Sequence, residues 1–328
     1  LSALEDLGRA SRARSEAKII AVTGSVGKTS TKEMLRQALE PSGEVHASAA
    51  SFNNHWGVPL TLARMPASAA YGVFEIGMNH PDEIRPLVKM VRPHIAIITT
   101  VAAAHMGNFK NLTEIAAAKS EIMEGLVEDG HLLLNRDNEK YGWLKKRAGE
   151  LGVAHTHSFG ENSKADYRLL NCKLLPDCST ITARIGSDEV AVKIGAPGRH
   201  HVQNALAVLG AVQLTGANLA KATHALASLS AEKGRGARHD LKIGAGSFVL
   251  IDESYNANPA SMRAALELLR DTPVRLRGRR IAVLGDMLEM GRFSEQVHRD
   301  LAGPLGEASA DLVCLAGPEM RALRDELG

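Results

Sequence analysis

The stretch IIAVTGSVGKTSTKEML, Ile19 to Leu35, decides how this chain folds. Ile19 to Val22 is a short apolar run of β-rich residues, and Gly24 to Gly27 can adopt the φ values of a tight turn. Thr29 to Leu39 has helical composition, with Met34, Leu35, Ala38 and Leu39 on one side. Strand, glycine turn and helix in that order set backbone N–H groups and a helix N-terminus against a polyphosphate. Gly24, Ser25, Gly27, Lys28, Thr29 and Ser30 are therefore candidate nucleotide-binding residues. Lys28 would reach the outer phosphates, and a Thr29 or Ser30 hydroxyl would hold Mg²⁺. The common spelling of such a loop, G-x-x-x-x-G-K, opens on a glycine, and here that position is Val22.

Outward from this stretch, strand-like and helix-like segments alternate. Ile19–Val22, Val73–Ile76, Ile95–Val101 and His131–Leu134 read as strands; Lys32–Leu39, His80–Val88 and Asn111–Leu126 read as helices. That alternation predicts a parallel sheet covered by helices. Between Cys172 and Ile194 the polar-apolar alternation of STITARI and EVAVKI predicts a small antiparallel insertion or edge, with helices resuming at Val202–Leu214 and Leu219–Leu229. SAEKGRGARHD, Ser230 to Asp240, reads as a linker. A second α/β pattern follows: strand Phe248–Asp252, helix Pro259–Leu269, strand Ile281–Gly285, helix Ser294–Leu305 and strand Asp311–Leu315. The expected architecture is a P-loop parallel-sheet domain over residues 1–232 and a Rossmann-like α/β domain over 233–328. The chain opens on Leu1 and its second unit stops at Gly328 after three strands, so we expect a longer protein at both ends.

Composition narrows the function. With 39 Lys and Arg against 37 Asp and Glu, the net charge of +2 carries no polyelectrolyte signature, and nucleic acid is not an expected partner. The one basic run, RLRGRR at Arg275–Arg280, reads as a solvated turn. Cys172, Cys178 and Cys314 form no CxxC pair, which suits a reducing compartment and excludes a cysteine-based zinc site. No apolar run approaches the ~20 residues needed to span a bilayer, so no membrane partner is expected.

Three further stretches carry chemistry. In VFEIGMNHPDEI, Glu75 ends an apolar strand that should neighbour the glycine loop's strand; it is either a Mg²⁺ ligand at the sheet's carboxyl edge or a strand-end carboxylate in solvent. In TTVAAAHMGNF, His105 lies just past another strand, as a ligand or a structural histidine. In NLTEIAAAKSEIMEGL, Asn111 and Glu114 predict a capping box that starts a helix. Along that helix Ile115, Lys119, Ile122 and Leu126 share one face. A buried lysine there would be driven towards the neutral amine, which can act as a nucleophile or take up CO₂ as a carbamate. The alternative is a lysine whose stem covers the core while its head reaches water.

Eight blocks in order carry a family resemblance: TGSVGKTSTKEML (Thr23–Leu35), SFNNHWGVPLTL (Ser51–Leu62), EIGMNHPDEI (Glu75–Ile84), AAHMGNF (Ala103–Phe109), AAAKSEI (Ala116–Ile122), GRHHVQNALAVLGA (Gly198–Ala211), DESYNANPASM (Asp252–Met262) and LGDMLEMG (Leu284–Gly291). The chain is similar to the muramyl-peptide (Mur) ligases, from about Lys18 to Gly317, and NNHWGVPLTL, DESYNANPASM and GDMLEMG point to the branch that adds D-Ala-D-Ala. The family's loop resembles TG(T/S)xGK(T/S), which does not require a glycine at the Val22 position. The resemblance implies Mg²⁺ held by Thr29, Glu75, His105 and a carbamylated Lys119, with Lys28, Asn54, His105 and Lys119 serving catalysis. It places Asn204 at the adenine, Asp252 at the ribose, Tyr255, Asn256 and Asn258 along the cleft, and Arg235 or else Arg238 at the phosphates.

By the same resemblance the activity is ATP-dependent and ADP-forming. UDP-MurNAc-tripeptide and D-Ala-D-Ala would be joined through an acyl phosphate, in the cytoplasm, by a monomer working in cell-wall synthesis. Two departures stand out. Where the family commonly has histidine then asparagine, this chain has His200 and His201, and the family's N-terminal UDP-binding domain is expected to lie outside these 328 residues. Another amide ligase of the superfamily, such as a folylpolyglutamate type, or a non-catalytic nucleotide-binding module are the competing readings.

Overall fold

The computed structural model describes every residue except 50, 245 and 275. The first strands are β1 (Lys18–Thr23), β2 (Val45–Ala47), β3 (Tyr71–Glu75), β4 (Ile95–Ile98), β5 (His131–Asn135), β6 (His155–Gly160), β7 (Tyr167–Leu174), β8 (Ser179–Ile185) and β9 (Asp188–Ile194). They form one sheet in the order β2-β3-β1-β4-β5-β6-β7-β8-β9, parallel up to the β6-β7 pair and antiparallel from β7 to β9. The antiparallel edge falls where the alternating pattern predicts it. The helices are α1 (Ser2–Ala13), α2 (Lys28–Leu39), α3 (Gly57–Ala63), α4 (Ile84–Val91), α5 (Leu112–Ser120), α6 (Tyr141–Glu150), α7 (Arg199–Thr215) and α8 (Leu219–Ala225).

Successive residues of β1 serve opposite faces of the sheet. Ile20 and Val22 pack with Met34, Leu35, Ala38 and Leu39 of α2 and with α7, whereas Ile19 and Ala21 pack with α3, α4 and α5. This double burial is why β1 reads as an unbroken apolar run, as expected of a central parallel strand. Each fully buried aliphatic side chain here contributes roughly 1.5–3 kcal/mol. β1 lies between β3 and β4, so the chain departs from it in both directions across the sheet. The crevice at the carboxyl end of such a switch point is where ligands bind in open α/β sheets.

The second unit is built from β10 (Ala237–Ile243), β11 (Gly246–Asp252), α9 (Pro259–Asp271), β12 (Ile281–Gly285), α10 (Ser294–Arg299), α11 (Ala302–Glu307), β13 (Leu312–Ala316) and α12 (Arg321–Leu327). Its core gathers Leu266, Leu284, Met287, Met290, Leu301, Leu305, Met320 and Leu323. Among the described residues, no helix is long and apolar enough to cross a membrane.

Several boundaries differ from the sequence expectation. The helix expected from His80 starts at Ile84, because Glu121, from the segment after α5, accepts the N–H groups of Asp82 (2.7 Å) and Arg85 (3.0 Å) and fixes the turn before it. The strand expected to Val101 ends at Ile98, where Thr99 turns to bond the glycine loop. The helix expected to Leu126 is α-helical only to Ser120 and then winds as a 3₁₀ turn to Gly125. Asn111 caps α5 through the N–H groups of Thr113 and Glu114, but Glu114 accepts from Lys110 N–H (2.8 Å) rather than closing the box on Asn111.

The end of the predicted linker, from Ala237, is strand β10, paired antiparallel with β11. The second unit's three expected strands consequently do not share a sheet; β12 pairs with β13 instead. The single helix expected over Ser294–Leu305 divides into α10 and α11, since Pro304 has no N–H to continue the ladder. Of the basic run, Arg275 lies outside the described residues, and Leu276 onwards forms an exposed turn into β12.

One internal contact of the sheet makes stability depend on pH. His94, at the head of β4, accepts the Ile19 N–H through Nδ1 (2.9 Å), and burial with three neighbouring cations lowers its pKa to about 4. A histidine held below its unfolded value contributes stability that is complete above about pH 6.5 and is lost as pH falls towards 4. His94→Asn should flatten that part of the stability profile, measured by urea unfolding at pH 7 and pH 5. An unchanged slope would assign the acid sensitivity to other groups.

Candidate active site

The glycine loop is fixed by close approaches that leave no room for side chains. A Cβ on Gly24 would lie 1.9 Å from Thr99 Oγ1, and one on Gly27, at φ 84°, would lie 2.8 Å from Asn204 Oδ1. Thr99 Oγ1 donates to Val26 O (2.6 Å), and Ser25 Oγ donates to Ala102 O while accepting its N–H, both at 2.9 Å. The Ser25 hydroxyl is thus used to hold the loop after β4. Lys28 Nζ donates to Gly24 O (2.9 Å) across the turn. Thr29 is buried with Oγ1 3.4 Å from Ser51 Oγ, and Ser30 is half-buried in the same first turn of α2. Val22, the unusual position, is wholly buried beneath α2 as a core residue.

On the neighbouring strand, β3 delivers Glu75 beside Val22. It is 1% exposed; its Oε1 accepts from Asn53 Nδ2 (2.7 Å), while its Oε2 is buried without a partner among the described residues. Asn53, not Asn54, is the asparagine on Glu75: Asn54 is exposed and its Oδ1 accepts the N–H groups of Trp56 and Gly57 at the start of α3. Lys119, on α5, is 2% exposed, so its stem is packed inside the domain. Burial, and secondarily the charge of Lys28, holds its pKa well below the usual lysine range. Lys28 is lowered too, first by desolvation, with Glu75 opposing and Arg235 adding to the effect. His105 has a left-handed φ of 57°, and its Nδ1 pairs with Glu289 of the second unit. Burial lowers its pKa despite that carboxylate.

These residues suit a hard cation. Glu75 offers a buried oxygen with no partner among the described residues, and His105 an imidazole. Among the described residues no group of three His, Cys, Asp or Glu side chains is placed to hold a metal. Lys119, buried on α5, lies within electrostatic reach of both Lys28 and His105.

Asn204, from α7, is buried against Gly27, with its Nδ2 unpartnered among the described residues. Its neighbours His200 and His201 pack with ring centroids 4.1 Å apart and planes tilted by 44°, and burial pushes His200 down to about 4. From the second unit, Arg235 sits over the Tyr255 ring (4.0 Å) and close enough to Lys28 to depress its proton affinity. Arg238 instead donates to Pro176 O at the β7-β8 turn.

Asp252 is occupied with its own turn, accepting from Gly234 N–H and from Ser254 N–H and Oγ–H, and the Ser254 hydroxyl bond leads in holding its carboxyl below the usual range. The adjacent Glu253, beside Arg235, makes no hydrogen bond among the described residues and is pushed up to about 7 by burial. Sequence reading passed over it, because adjacent acids look alike until the turn selects one. Asn256 accepts the Ala257 N–H, and Asn258 is committed as the N-cap of α9, in a capping box with Ser261.

The Mur ligase middle domain matches residues 22–212, and the Mur ligase glutamate ligase domain matches 234–328. The chain is 35% identical to the UDP-N-acetylmuramoyl-tripeptide--D-alanyl-D-alanine ligase of Rickettsia prowazekii, over 99% of this chain and 71% of that protein. It is 36% identical to the Escherichia coli enzyme of the same name, over 95% of this chain and 67% of that one. Among solved structures it resembles MurF from Acinetobacter baumannii, with TM-score 0.90 and 32% identity over 99% of this chain and 69% of that one. It has the fold of Thermotoga maritima MurF in complex with ADP, at TM-score 0.85 and 24% identity, over 98% and 72% of the two chains. With a shared fold, a glycine loop facing a buried carboxylate, and both domain models matched in order, this chain belongs to the Mur ligase family.

Proposed function

We propose that this chain is the ATP-dependent, ADP-forming ligase that joins D-Ala-D-Ala to UDP-MurNAc-tripeptide in peptidoglycan precursor synthesis. The observation that carries the reading is Lys119. It is a fully buried lysine with no ion pair or hydrogen bond among the described residues, near Lys28 and His105. A binding module has no use for a desolvated amine beside its phosphate loop, whereas a ligase that must hold a cation there does. The relatives named above supply the substrate assignment, and their names are those of the D-alanyl-D-alanine-adding enzyme.

The chemistry follows from the groups present. ATP lies with its phosphates on the amides of Gly24–Thr29, and Lys28 and Arg235 offset the charge that shifts onto the β-phosphate oxygens as the γ-phosphoryl group leaves. The tripeptide's terminal carboxylate forms the new P–O bond as the bond to ADP breaks, giving an acyl phosphate. The neutral amine of D-Ala-D-Ala then attacks the acyl carbon; the C–N bond forms, the C–O bond to phosphate breaks, and the amine gives up a proton. Mg²⁺, when bound, screens the phosphate charge and orients the γ-phosphoryl group. Thr29, Glu75, His105 and Lys119 would hold it. For Lys119 this means the neutral amine adding to CO₂, with loss of a proton, to present a carbamate oxygen. Asn204 would contact the base, Asp252 the ribose hydroxyls, and Tyr255, Asn256 and Asn258 would line the nucleotide side of the cleft. ATP and a UDP-linked substrate make a cytoplasmic setting the natural one.

Lys28→Ala should lower kcat by on the order of 10²–10³-fold while leaving the melting temperature unchanged or higher, because a desolvated cation is removed. Lys119→Ala should abolish ligation, and short-chain carboxylates in the buffer should restore part of it; full activity in the variant would remove the carbamate from the reading. ADP release with UDP-MurNAc-tripeptide against single amino acids and dipeptides tests the substrate. Turnover with a single amino acid but not with D-Ala-D-Ala would overturn the assignment.

A further inference from the structure

Outside the phosphate loop, one contact joins the two domains at the site itself. Glu289, on the loop after β12, pairs its carboxylate with Nδ1 of His105, and its own carbonyl accepts the Gly107 N–H at 2.7 Å. Both partners hold left-handed backbones, at φ 57° for His105 and 63° for Glu289. For residues with a Cβ this conformation costs about 1–3 kcal/mol and persists only where the surroundings fix it. The two loops also touch through glycines: a Cβ on Gly291, itself at φ 54°, would lie 2.7 Å from Gly107 Cα. The contact therefore has a side-chain point and a backbone point, which define one orientation between the loops.

A neutral imidazole carries one N–H, and the ring nitrogen that does not carry it keeps a lone pair. When a carboxylate accepts Nδ1–H, the tautomer is set and Nε2 is left free for a cation, an arrangement common around metal-bound histidines.

We propose that Glu289 is a positioning residue for the metal site: by accepting the His105 Nδ1–H it aims Nε2 at the cation. The cation site of the first domain is then complete only while the second domain's Glu289 loop is seated on Gly107. This rests on the reading of His105 as a metal ligand.

The test uses Mn²⁺ as the probe, titrated into the purified chain without substrates and followed by EPR. Glu289→Ala should weaken Mn²⁺ binding about 10–100-fold, the range typical of losing such an outer partner. Glu289→Gln, which keeps an acceptor oxygen, should stay close to wild type. Gly291→Ala, which wedges a methyl between the loops, should resemble Glu289→Ala. In the metal-free protein, ¹⁵N NMR should find His105 protonated at Nδ1 in wild type and shifted towards the Nε2–H form in Glu289→Ala; this readout is independent of turnover and of metal. Wild-type Mn²⁺ affinity together with an unchanged tautomer in Glu289→Ala overturns the proposal. His105→Ala separates it from the reading beneath it. If that variant binds Mn²⁺ normally, His105 is no ligand; if it binds weakly while Glu289→Ala binds normally, only the positioning role falls.

Discussion

The burial of β1 on both faces is the constraint on which the rest depends. A strand with Ile19 and Ala21 on one side and Ile20 and Val22 on the other cannot slide or turn over without exposing apolar surface. The glycine turn that follows must therefore emerge at the sheet's carboxyl edge, and the strands on either side must end there too. β3 brings Glu75, and β4 brings Thr99, whose hydroxyl closes the loop onto Val26. Val22 belongs to this constraint. A glycine at that position would remove a buried side chain under α2, so the loop's tight turning is left to Gly24 and Gly27.

That geometry concentrates cations. Arg235 lowers the proton affinity of Lys28 and Lys28 that of Lys119, while Glu75 opposes the effect on Lys28 and has one oxygen without a partner among the described residues. Gathering desolvated charges of one sign is unfavourable unless an anion joins them, and a polyphosphate meets that need. The second domain adds to the same electrostatics at two points, Arg235 with Tyr255 and Glu289 with His105. Its seating thus bears on both the phosphate side and the cation side of the cleft.

Much of this was legible in the linear chain. The strand-turn-helix order around Lys28 gave the sheet its centre, and the spacing of Ile115, Lys119 and Ile122 put the lysine in line with an apolar stripe, leaving its burial to the packing of α5. Other assignments depended on which polar group local turns consume. Asn54 and Asn258 are spent at helix starts, Asp252 on its own turn, and Ser25 on the loop after β4, while Asn53 meets Glu75 and Glu253 lies beside Arg235. Adjacent residues of like chemistry cannot be told apart by composition, since the difference lies in which one a turn's backbone N–H groups reach.

The sequence by itself determined the sheet's central strand, the phosphate loop and the place of Lys119 on the apolar face of its helix, because each follows from residue periodicity and from the torsional freedom of glycine over a few adjacent residues. Only the tertiary structure decided that β10 pairs with β11 apart from β12, that Asn53 meets Glu75, and that Glu289 reaches across to His105. Those contacts join residues far apart in the chain. Their formation depends on packed surfaces bringing backbones such as Gly107 and Gly291 together, which no local pattern encodes.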